Sequence, residues 1–314
     1  MPDPTLSNSI CNQLEMEKST KETNLLLHPA TRYNVQTRPN SRYTKPTLRL
    51  RKYWPEAFLE TTEYQKFREF CDACKEDRYI GLCLGYSGVG KTLAAFNYAN
   101  WKYFNHFQNP HYGRVQTWQN AEILRCADTV VYTPLGSMTA NAVLVQILSL
   151  VSNTESMIYK EVGCADSDEG QVQLVIIDEA NRLKYQSLEH IRDLFDQLRI
   201  GVVFMGLHSL EKVISCLPQF RNRVGFRHEF KPLTVADMTV LIESDSFKEL
   251  RFGLSTKRFE SKDTISKLAR ATSGNMRTLN RLCLQIKRVM RVNSLDMITD
   301  DVVETARKAL IIGL

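Results

Sequence analysis

The sequence predicts an α/β fold in which a five-stranded parallel sheet is followed by a small helical domain. Three observations lead to this prediction. From residue 53, short apolar runs alternate with stretches of helical periodicity, the order that is typical of parallel α/β proteins. The run VQLVIID at 172–178 is almost continuously apolar, as expected of a central parallel strand covered on both faces. Beyond about residue 233 the periodicity is helical only.

Five apolar runs define the strands of the predicted sheet. The runs are YIGLCLG at 79–85, TVVYTPL at 129–135, VQLVIID at 172–178, IGVVFMG at 200–206 and a shorter one near His228 to Lys231. Their length and apolar character are typical of buried strands. Pro232 follows the last run and ends the predicted sheet.

Stretches of helical periodicity follow these strands. The first extends from Thr92 to about Phe107, and a second, NAVLVQILSLV, comes after the second strand. In SLEHIRDLFDQLR the apolar residues recur every three or four positions, and Ser187 is placed to cap the N-terminus of a helix. After Pro232, four such stretches predict the helical domain: TVADMTVLIE, DTISKLARATS, MRTLNRLCLQIKRVM and TDDVVETARKALI.

Composition and periodicity divide the chain into three regions. Residues 23–52 hold seven Lys or Arg, three Pro and no acid, so residues 1–52 are predicted to form an extended basic arm. Residues 53–232 form the predicted α/β core, and residues 233–314 form the helical lid domain. Residues 251–291 carry eleven Lys or Arg against two acids, so the lid is predicted to present a second basic surface.

Length and composition exclude several classes of protein. With 314 residues, 43% hydrophobic and 24% charged, the chain can form one large or two modest globular domains and is neither collagen-like nor wholly disordered. The longest apolar candidate for a membrane span, 142–151, is too short. The N-terminus lacks the basic and apolar parts of a signal peptide, and the eight scattered cysteines are typical of reduced thiols. We therefore expect a cytoplasmic protein that has no membrane partner.

A glycine-rich segment after the first strand fits the pattern G-x-x-x-x-G-K-[ST]. It consists of Gly85, Tyr86, Ser87, Gly88, Val89, Gly90, Lys91 and Thr92. The glycines allow a tight turn whose N–H groups face a phosphate, and the following helix adds its positive N-terminal end. Lys91 is suited to the β and γ phosphates of ATP, and the Thr92 hydroxyl is suited to Mg²⁺. A simple glycine turn is the alternative, but the strand before it and the helix after it favour a phosphate loop.

Two carboxylates, Asp178 and Glu179, come directly after the apolar residues LVII of the third strand. At the carboxyl edge of a parallel sheet, Asp178 would reach the Mg²⁺ shell, and Glu179 would orient and deprotonate the attacking water. A buried strand followed by a solvated acidic turn is the alternative for either residue alone. Together with the phosphate loop, the pair predicts that the protein hydrolyses ATP and does not only bind it.

The lid carries a third motif, Gly274-Asn275-Met276-Arg277, at the start of a basic helix. The glycine, two spacers and arginine resemble the sensor-2 motif of AAA+ ATPases, in which the arginine reaches the γ-phosphate of the nucleotide. From about residue 53 to 310 the chain thus resembles an AAA+ P-loop NTPase with a helical lid. More narrowly, it resembles the TnsC, TniB and MuB transposition regulators in the blocks VIIDEANRLKYQSLEHIRDLFDQLRIGVVFMG and SGNMRTLNRLC.

This resemblance implies an activity, cofactors and partners. Members of this group are ATPases that use ATP and Mg²⁺, bind double-stranded DNA as homo-oligomeric rings or helical filaments, mark the target site and recruit or stimulate the transposase. A target-selection protein or a CRISPR effector would be a further partner. The nucleotide contacts implied are residues 85–92, Asp178, His208 and Arg277, with Thr92 and Asp178 as metal ligands. The implied catalytic residues are Lys91, Glu179, Arg223 and Arg277.

Two of these roles are assigned by position. An arginine finger, donated across a subunit interface, should lie between the fourth strand and the lid, where Arg221, Arg223 and Arg227 are candidates and Arg223 is favoured. Each of the three is equally well explained as a structural surface arginine. After the fourth strand the family usually has a small polar residue as sensor 1, whereas this chain has Leu207 and then His208. We expect slow or differently triggered hydrolysis from that departure.

The predicted DNA contact rests on fewer signals than the ATP site. In related filament proteins the segment after the second strand faces DNA, but here TPLGSMTANA contains no base. Its polar candidates for phosphate contact are Ser137, Thr139 and Asn141. Positive charge would come from Lys102, Arg114, Arg182, Lys184 or the basic arm.

The sequence leaves other functions open. A replication-initiator or clamp-loader-like AAA+ ATPase usually has a winged-helix domain after the lid, which we do not expect here because the sequence ends at Leu314. A secretion-type ATPase would carry a membrane span and a wall-binding domain. A nucleotide switch that binds proteins and not DNA, with the arm as a docking peptide, can be distinguished only by experiment.

Overall fold

The computed structural model describes residues 58–100, 127–136, 138–162, 171–244, 254 and 256–310. The predicted basic arm, residues 1–52, lies outside the described residues. The helix that was predicted from Thr92 to about Phe107 ends earlier, at Tyr98, because Ala99 and Asn100 form a turn in which Asn100 has a φ of 50°. Residues 101–107 lie outside the described residues.

A parallel sheet forms the centre of the α/β core. Its strands are β1 (Ile80–Leu84), β2 (Thr129–Tyr132), β3 (Leu174–Ile177), β4 (Gly201–Gly206) and β5 (Val224–Glu229). Within the described residues the sheet has five strands in the order β2-β3-β4-β1-β5, and all neighbouring strands are parallel. The predicted α/β class with a five-stranded parallel sheet is therefore confirmed.

Strand β5 differs from its prediction. It spans Val224–Glu229, whereas the sequence predicted a shorter strand near His228 to Lys231. Strands β1 to β4 are buried at every residue, but β5 lies at the edge of the sheet and its residues alternate between half-buried and exposed. This alternation hides the strand from a search for continuous apolar runs, because only one of its faces is covered.

Helices flank the sheet and then form the lid. In chain order they are α1 (Thr62–Glu76), α2 (Lys91–Tyr98), α3 (Ala140–Val162), α4 (Tyr185–Leu198), α5 (Ser209–Ser215), α6 (Pro218–Arg221), α7 (Val235–Glu243), α8 (Lys262–Thr272), α9 (Met276–Val292) and α10 (Asp300–Lys308). Among the helices of the described part of the chain, none is both long enough and apolar enough to cross a lipid bilayer.

Helix α1 shows how the sequence folds locally ahead of the sheet. The Thr61 hydroxyl accepts the N–H of Tyr64 at 3.1 Å and caps the helix. Its buried side chains recur every three or four residues and include Phe67, Cys71 and Cys74. Burial raises the pKa of the Cys74 thiol to about 12, so this cysteine stays protonated and packs as an apolar side chain.

The described residues contain two hydrophobic cores. One gathers buried side chains from Tyr64 to Phe230, and the other gathers those from Met238 to Ala306. Helix α7 begins between them with a capping box, in which the Thr234 hydroxyl accepts the N–H of Asp237 and the Asp237 carboxylate accepts the N–H of Thr234. We therefore propose that the α/β core ends at residue 232 and that the lid begins at residue 233.

Candidate functional site

The phosphate loop connects β1 to α2. Strand β1 ends at Leu84 and α2 begins at Lys91, so residues 85–90 form the turn. Gly88 and Gly90 have φ angles of 85° and 115°, which L-residues rarely adopt. A Cβ atom on Gly88 would also lie 2.5 Å from Oδ1 of Asn275. Glycine is thus required at position 88 by both the turn and the approach of the lid.

The ammonium group of Lys91 is held beside the backbone of this loop. Its Nζ donates hydrogen bonds to the carbonyl oxygens of Gly85 at 2.7 Å and Tyr86 at 2.8 Å. Desolvation lowers the pKa of Lys91, and the carboxylates of Asp178 and Glu179 oppose that decrease. From this position the ammonium can neutralise phosphate oxygens that bind the loop.

Thr92 and Asp178 meet below the loop, although they are distant in sequence. The Thr92 hydroxyl donates to Oδ2 of Asp178 at 2.7 Å. Asp178 is only 3% exposed, and this burial raises its pKa, while hydrogen bonds from Thr92 and from the Glu179 N–H oppose the increase. A hydroxyl and a carboxylate in contact are hard oxygen ligands of the kind that Mg²⁺ prefers. The pair fits the predicted metal site.

A Mg²⁺ ion at this position would need further ligands. Within the described residues, no group of three or more His, Cys, Asp or Glu could hold a metal by itself. Mg²⁺ commonly takes one or two protein ligands and completes its shell with phosphate oxygens and water. The two protein ligands are therefore compatible with a metal that binds together with a nucleotide.

Glu179 lies next to Asp178 but in a different environment. Its backbone is left-handed, with φ of 53° and ψ of 37°, a conformation that carries strain for a residue with a side chain. Its side chain is 38% exposed, and Oε2 lies 3.8 Å from Nη2 of Arg182. Because one carboxylate is buried and its neighbour is accessible to water, the two can perform different tasks. The accessible one suits a base that activates water.

The start of helix α9 in the lid contacts the phosphate loop. Nδ2 of Asn275 donates to the Ser87 carbonyl at 2.8 Å, and Nη1 of Arg277 donates to the Ser87 hydroxyl at 2.8 Å. The N–H of Arg277 also donates to the Gly88 carbonyl at 3.3 Å. The structure therefore brings the predicted sensor-2 arginine to the predicted phosphate loop.

Sequence reasoning missed the part that Asn275 plays in this contact. Its Oδ1 accepts the N–H groups of Arg277 and Thr278, which caps α9, while its Nδ2 binds the loop. The available signal was its position directly before a helical stretch, where Asn is a favoured cap. One side chain thus fixes both the beginning of the helix and its distance from the loop.

Gly274 sets the position of α9 relative to the end of the core. Its φ is 73°, and a Cβ atom there would lie 2.1 Å from the carbonyl oxygen of Leu233. The Leu233 N–H also donates to the Gly274 carbonyl at 3.2 Å. Only glycine permits this close packing, which is the physical reason for the glycine of the GxxR motif.

An apolar pocket lies beside the phosphate loop. Its lining includes Phe58, Tyr64, Val89, Leu93, Phe230 and Met276. A flat apolar ring fits such a lining, and the adjoining loop fits phosphates, so the two together suit a nucleotide. Sequence reasoning missed the pocket because its walls come from separate segments of the core and the lid.

His208, the predicted sensor-1 residue, follows β4 and contacts Tyr86 of the phosphate loop. Its ring lies 4.8 Å from the ring of Tyr86, and its Nε2 lies 3.6 Å from Oε1 of Glu229. A second polar group lies at the same end of β4, because Asn181 Oδ1 would be 2.8 Å from a Cβ atom on Gly206. The contact is compatible with a nucleotide-sensing role for His208, which stays a prediction.

The candidate arginine fingers are paired with acids of their own chain. Arg223 forms a bidentate ion pair with Asp196, with two N–O distances of 2.8 Å. Arg227 donates from Nε to Oε1 of Glu211 at 2.7 Å. The side chain of Arg221 lies outside the described residues. A finger role for Arg223 therefore requires that its ion pair with Asp196 opens.

The structure describes three of the predicted DNA contacts, Thr139, Arg182 and Lys184. Thr139 and Lys184 are exposed, and Nη1 of Arg182 donates to the Pro134 carbonyl at 3.4 Å. The structure thus brings Arg182 against the segment that follows β2. The other predicted contacts, Lys102, Arg114 and Ser137, lie outside the described residues.

Solved structures with a similar fold include two kinds of protein. The Thermotoga maritima RuvB Holliday junction branch migration motor matches with a TM-score of 0.52 and 17% identity, over 82% of this chain and 71% of that one. Drosophila ORC bound to DNA matches with a TM-score of 0.53 and 15% identity, over 95% of this chain and 74% of that one. At these identities the likeness shows the fold and nothing finer.

Sequence comparison identifies the family. The profile of the AAA domain matches residues 74–214. A potential ATP-binding protein from Staphylococcus aureus is 35% identical over 271 residues, which cover 82% of this chain and 97% of the relative. The phosphate loop, the carboxylate pair and the lid contact agree with these matches. The chain belongs to the AAA+ family of P-loop ATPases.

Proposed function

We propose that the protein is an ATP-dependent, DNA-binding transposition regulator of the TnsC, TniB and MuB kind. It would assemble on double-stranded target DNA, mark the site and recruit or stimulate the transposase. The observation that carries this proposal is the position of Arg182, which lies 3.8 Å from the Glu179 carboxylate and donates to the Pro134 carbonyl. A single base thus connects the hydrolytic carboxylate with the segment predicted to face DNA.

This arrangement gives hydrolysis a physical route to the DNA. When DNA phosphates approach Arg182, they compete with Glu179 for its guanidinium. Glu179 is then released from its ion pair and is free to orient water. DNA would therefore regulate ATP turnover by breaking the ion pair between Arg182 and Glu179, which are three positions apart in the sequence.

The residues of this chain divide the ATPase reaction between them. Bound ATP with Mg²⁺ supplies the phosphoryl group that is transferred to water. Lys91 and the N–H groups of the loop neutralise and orient the phosphates, and Thr92 with Asp178 would hold the metal. Glu179 would take the proton from the attacking water, and Arg277, at the Ser87 hydroxyl, would contact the γ-phosphate.

The arginine finger makes hydrolysis dependent on assembly. Arg223 is bound to Asp196 in its own chain, so it would act only when a second copy offers a stronger anionic partner, the triphosphate. Mixing Arg223→Ala subunits with Glu179→Gln subunits tests this. At a mixed interface, the first subunit supplies an intact Glu179 and the second supplies an intact Arg223. If the mixture regains no turnover, Arg223 is not the finger.

A replication-initiator-like ATPase is the second candidate. The similarity to Drosophila ORC bound to DNA, over 95% of this chain, favours it at the level of fold. Both candidates share ATP-controlled binding of duplex DNA and differ in the protein that is recruited. The transposition proposal has the additional support of the block from Val175 to Gly206, which resembles the regulator family.

Electron microscopy with duplex DNA tests the proposed function. With a nonhydrolysable ATP analogue, we expect rings or filaments on the duplex, and without nucleotide we expect none. Lys91→Ala should abolish this assembly, whereas Lys212→Ala, an exposed lysine on α5, should not. Absence of assembly and of DNA binding at about 50 mM salt, where phosphate contacts are strongest, would contradict the proposal.

A further inference from the structure

Helix α9 of the lid presents a line of arginines to solvent. Arg277, Arg281, Arg288 and Arg291 are exposed and recur at spacings of four, seven and three residues, with Leu284 between them. Residues at these spacings share one face of a helix. We call Arg277, Arg281, Arg288 and Arg291 the arginine stripe.

The stripe has no acidic counterpart in its own part of the chain. Residues 264–295 contain seven Lys or Arg and no Asp or Glu, so the helix carries no internal ion pairs. Among the described residues, the ion pairs of the lid are those of Lys267 with Asp300 and Arg307 with Glu304, and none includes a member of the stripe. Three arginines of the core, in contrast, are each paired with an acid: Arg192 with Glu189, Arg223 with Asp196 and Arg227 with Glu211. An unpaired line of cations attracts a polyanion.

The opposite face of α9 is committed to the lid. Leu279, Leu282 and Ile286 are fully buried in its hydrophobic core. A helix that lies on a lipid surface needs its apolar face free for the bilayer. That face is already covered, and the large apolar side chains that α9 exposes are Leu284 and Val292, two against four exposed arginines. This composition favours nucleic acid over a membrane.

The kind of cation also indicates the partner. Every charged residue of the stripe is an arginine, whose planar guanidinium forms two parallel hydrogen bonds to a phosphate. The one lysine on α9, Lys287, is half-buried and off the stripe. At about 1.5 Å per residue, the part of the stripe from Arg281 to Arg291 extends for about 15 Å, long enough to meet several phosphates of a duplex.

From these observations we infer that three members of the arginine stripe, Arg281, Arg288 and Arg291, bind the phosphate backbone of double-stranded DNA. This inference rests on the proposed function and assigns it a contact surface on the lid that is separate from Arg182 and Lys184. The stripe begins at Arg277, which donates to the Ser87 hydroxyl of the phosphate loop. One packed helix therefore contacts the nucleotide site at one end and DNA along its length, so the two ligands influence each other.

A triple variant, Arg281→Gln with Arg288→Gln and Arg291→Gln, tests the inference. Arg277 is left in place because it belongs to the nucleotide site. Duplex affinity is measured from about 50 mM to about 200 mM salt, because each lost phosphate contact reduces the slope of log affinity against log salt by about 0.9. We expect the slope to fall by about 2.7 in this variant, while ATP turnover without DNA stays unchanged.

The matched control removes three exposed lysines on other helices, as Lys212→Gln with Lys262→Gln and Lys308→Gln. It changes the net charge equally, and we expect the wild-type slope. A second triple variant, Arg281→Lys with Arg288→Lys and Arg291→Lys, should keep the slope because the charge remains, and it should bind more weakly because lysine lacks the planar guanidinium. This version separates phosphate contact from damage to the fold.

Each outcome has one meaning. An unchanged slope in the triple Gln variant, or an equal loss in the control, overturns the inference while the proposed function stands. Loss of binding to anionic phosphatidylserine vesicles, with unchanged duplex binding, would assign the stripe to a membrane and also overturns it. If the wild-type protein does not bind duplex at any salt concentration, the proposed function itself fails.

Discussion

Asp178 of the α/β core is buried and receives hydrogen bonds from the Thr92 hydroxyl and the Glu179 N–H, whereas Arg281 of the lid is exposed and unpaired among the described residues. The core thus holds the Asp178 carboxylate in a fixed position, although its burial disfavours the charged form. The arginines of α9 in the lid, in contrast, form no ion pair among the described residues. Fixed charges suit chemistry, which needs preorganised groups, and free charges suit binding that depends on salt.

The two regions meet in the functional site. Asn275 and Arg277 of the lid bind Ser87 of the phosphate loop, and Gly274 allows the lid to come that close. Four changes test the contrast between the fixed charges of the core and the free charges of the lid.

The largest effect is expected from Glu179→Gln in the core. Loss of a general base reduces turnover by about 10²-fold to 10⁴-fold, while ATP binding is retained because the phosphate contacts remain. Steady-state ATPase assays and nucleotide titrations measure the two quantities. Glu69→Gln, at an exposed glutamate on α1, serves as the control and should behave as wild type. Full activity of Glu179→Gln would remove this residue from the catalytic role.

Arg277→Ala should have a smaller effect on the same activity. A charge-assisted hydrogen bond contributes about 1.5–3 kcal/mol, and because Arg277 is exposed we expect the lower end, roughly a tenfold loss of turnover. Arg281→Ala, one helical turn further along α9, should leave DNA-free ATPase activity unchanged. Equal effects of the two substitutions would mean that the contact with Ser87 has no special part in the reaction.

Gly274→Ala should lower stability rather than alter the chemistry directly. The left-handed backbone and the 2.1 Å approach to the Leu233 carbonyl predict a loss of about 1–3 kcal/mol in the free energy of unfolding. In a chain of this size each kcal/mol corresponds to about 2–4 °C in Tm. Gly136→Ala is the matched control, because nothing lies within 4 Å of the added Cβ atom. An unchanged Tm in Gly274→Ala would contradict the packing of α9 against residue 233.

The smallest effect is a change in the pH dependence of stability. Burial raises the pKa of Asp178 in the folded protein, so the native state holds this proton to a higher pH than the unfolded chain does. Stability from this group therefore falls as pH rises from the unfolded pKa to the folded one. Asp178→Asn removes that loss and should raise the Tm of the nucleotide-free protein at neutral pH, although the metal ligand is lost.

Thermal unfolding at about pH 4 and about pH 7 measures this effect, because the unfolded pKa of Asp lies near 3.9. Asp77→Asn, at an exposed position, is the control. A variant Asp178→Asn that is less stable than wild type at neutral pH would show that the buried carboxylate stabilises the apoprotein.

Motifs whose residues lie close together in the sequence could be recognised without the structure. The phosphate loop, Asp178 with Glu179, and the glycine and arginine at 274 and 277 each lie within a few residues, so their patterns could be recognised and the structure places them together. Strand β5 was misplaced because its own residues alternate between half-buried and exposed, so it lacks a continuous apolar run.

The remaining features could not be predicted because they join distant parts of the chain. Asn275 and Ser87 are 188 positions apart, so their hydrogen bond is decided by the packing of the lid. The ion pair of Arg223 with Asp196 likewise depends on how α4 lies against the chain before β5. The apolar pocket requires walls from both the core and the lid.

The central claim is that nucleotide in the core controls binding of duplex DNA. The most direct measurement is the equilibrium affinity for a duplex at one fixed salt concentration, with and without a nonhydrolysable ATP analogue. Coupling between two sites is typically about 5-fold to 150-fold, and we expect the analogue to tighten duplex binding within that range in the wild-type protein. Equal affinities with and without the analogue would contradict the claim.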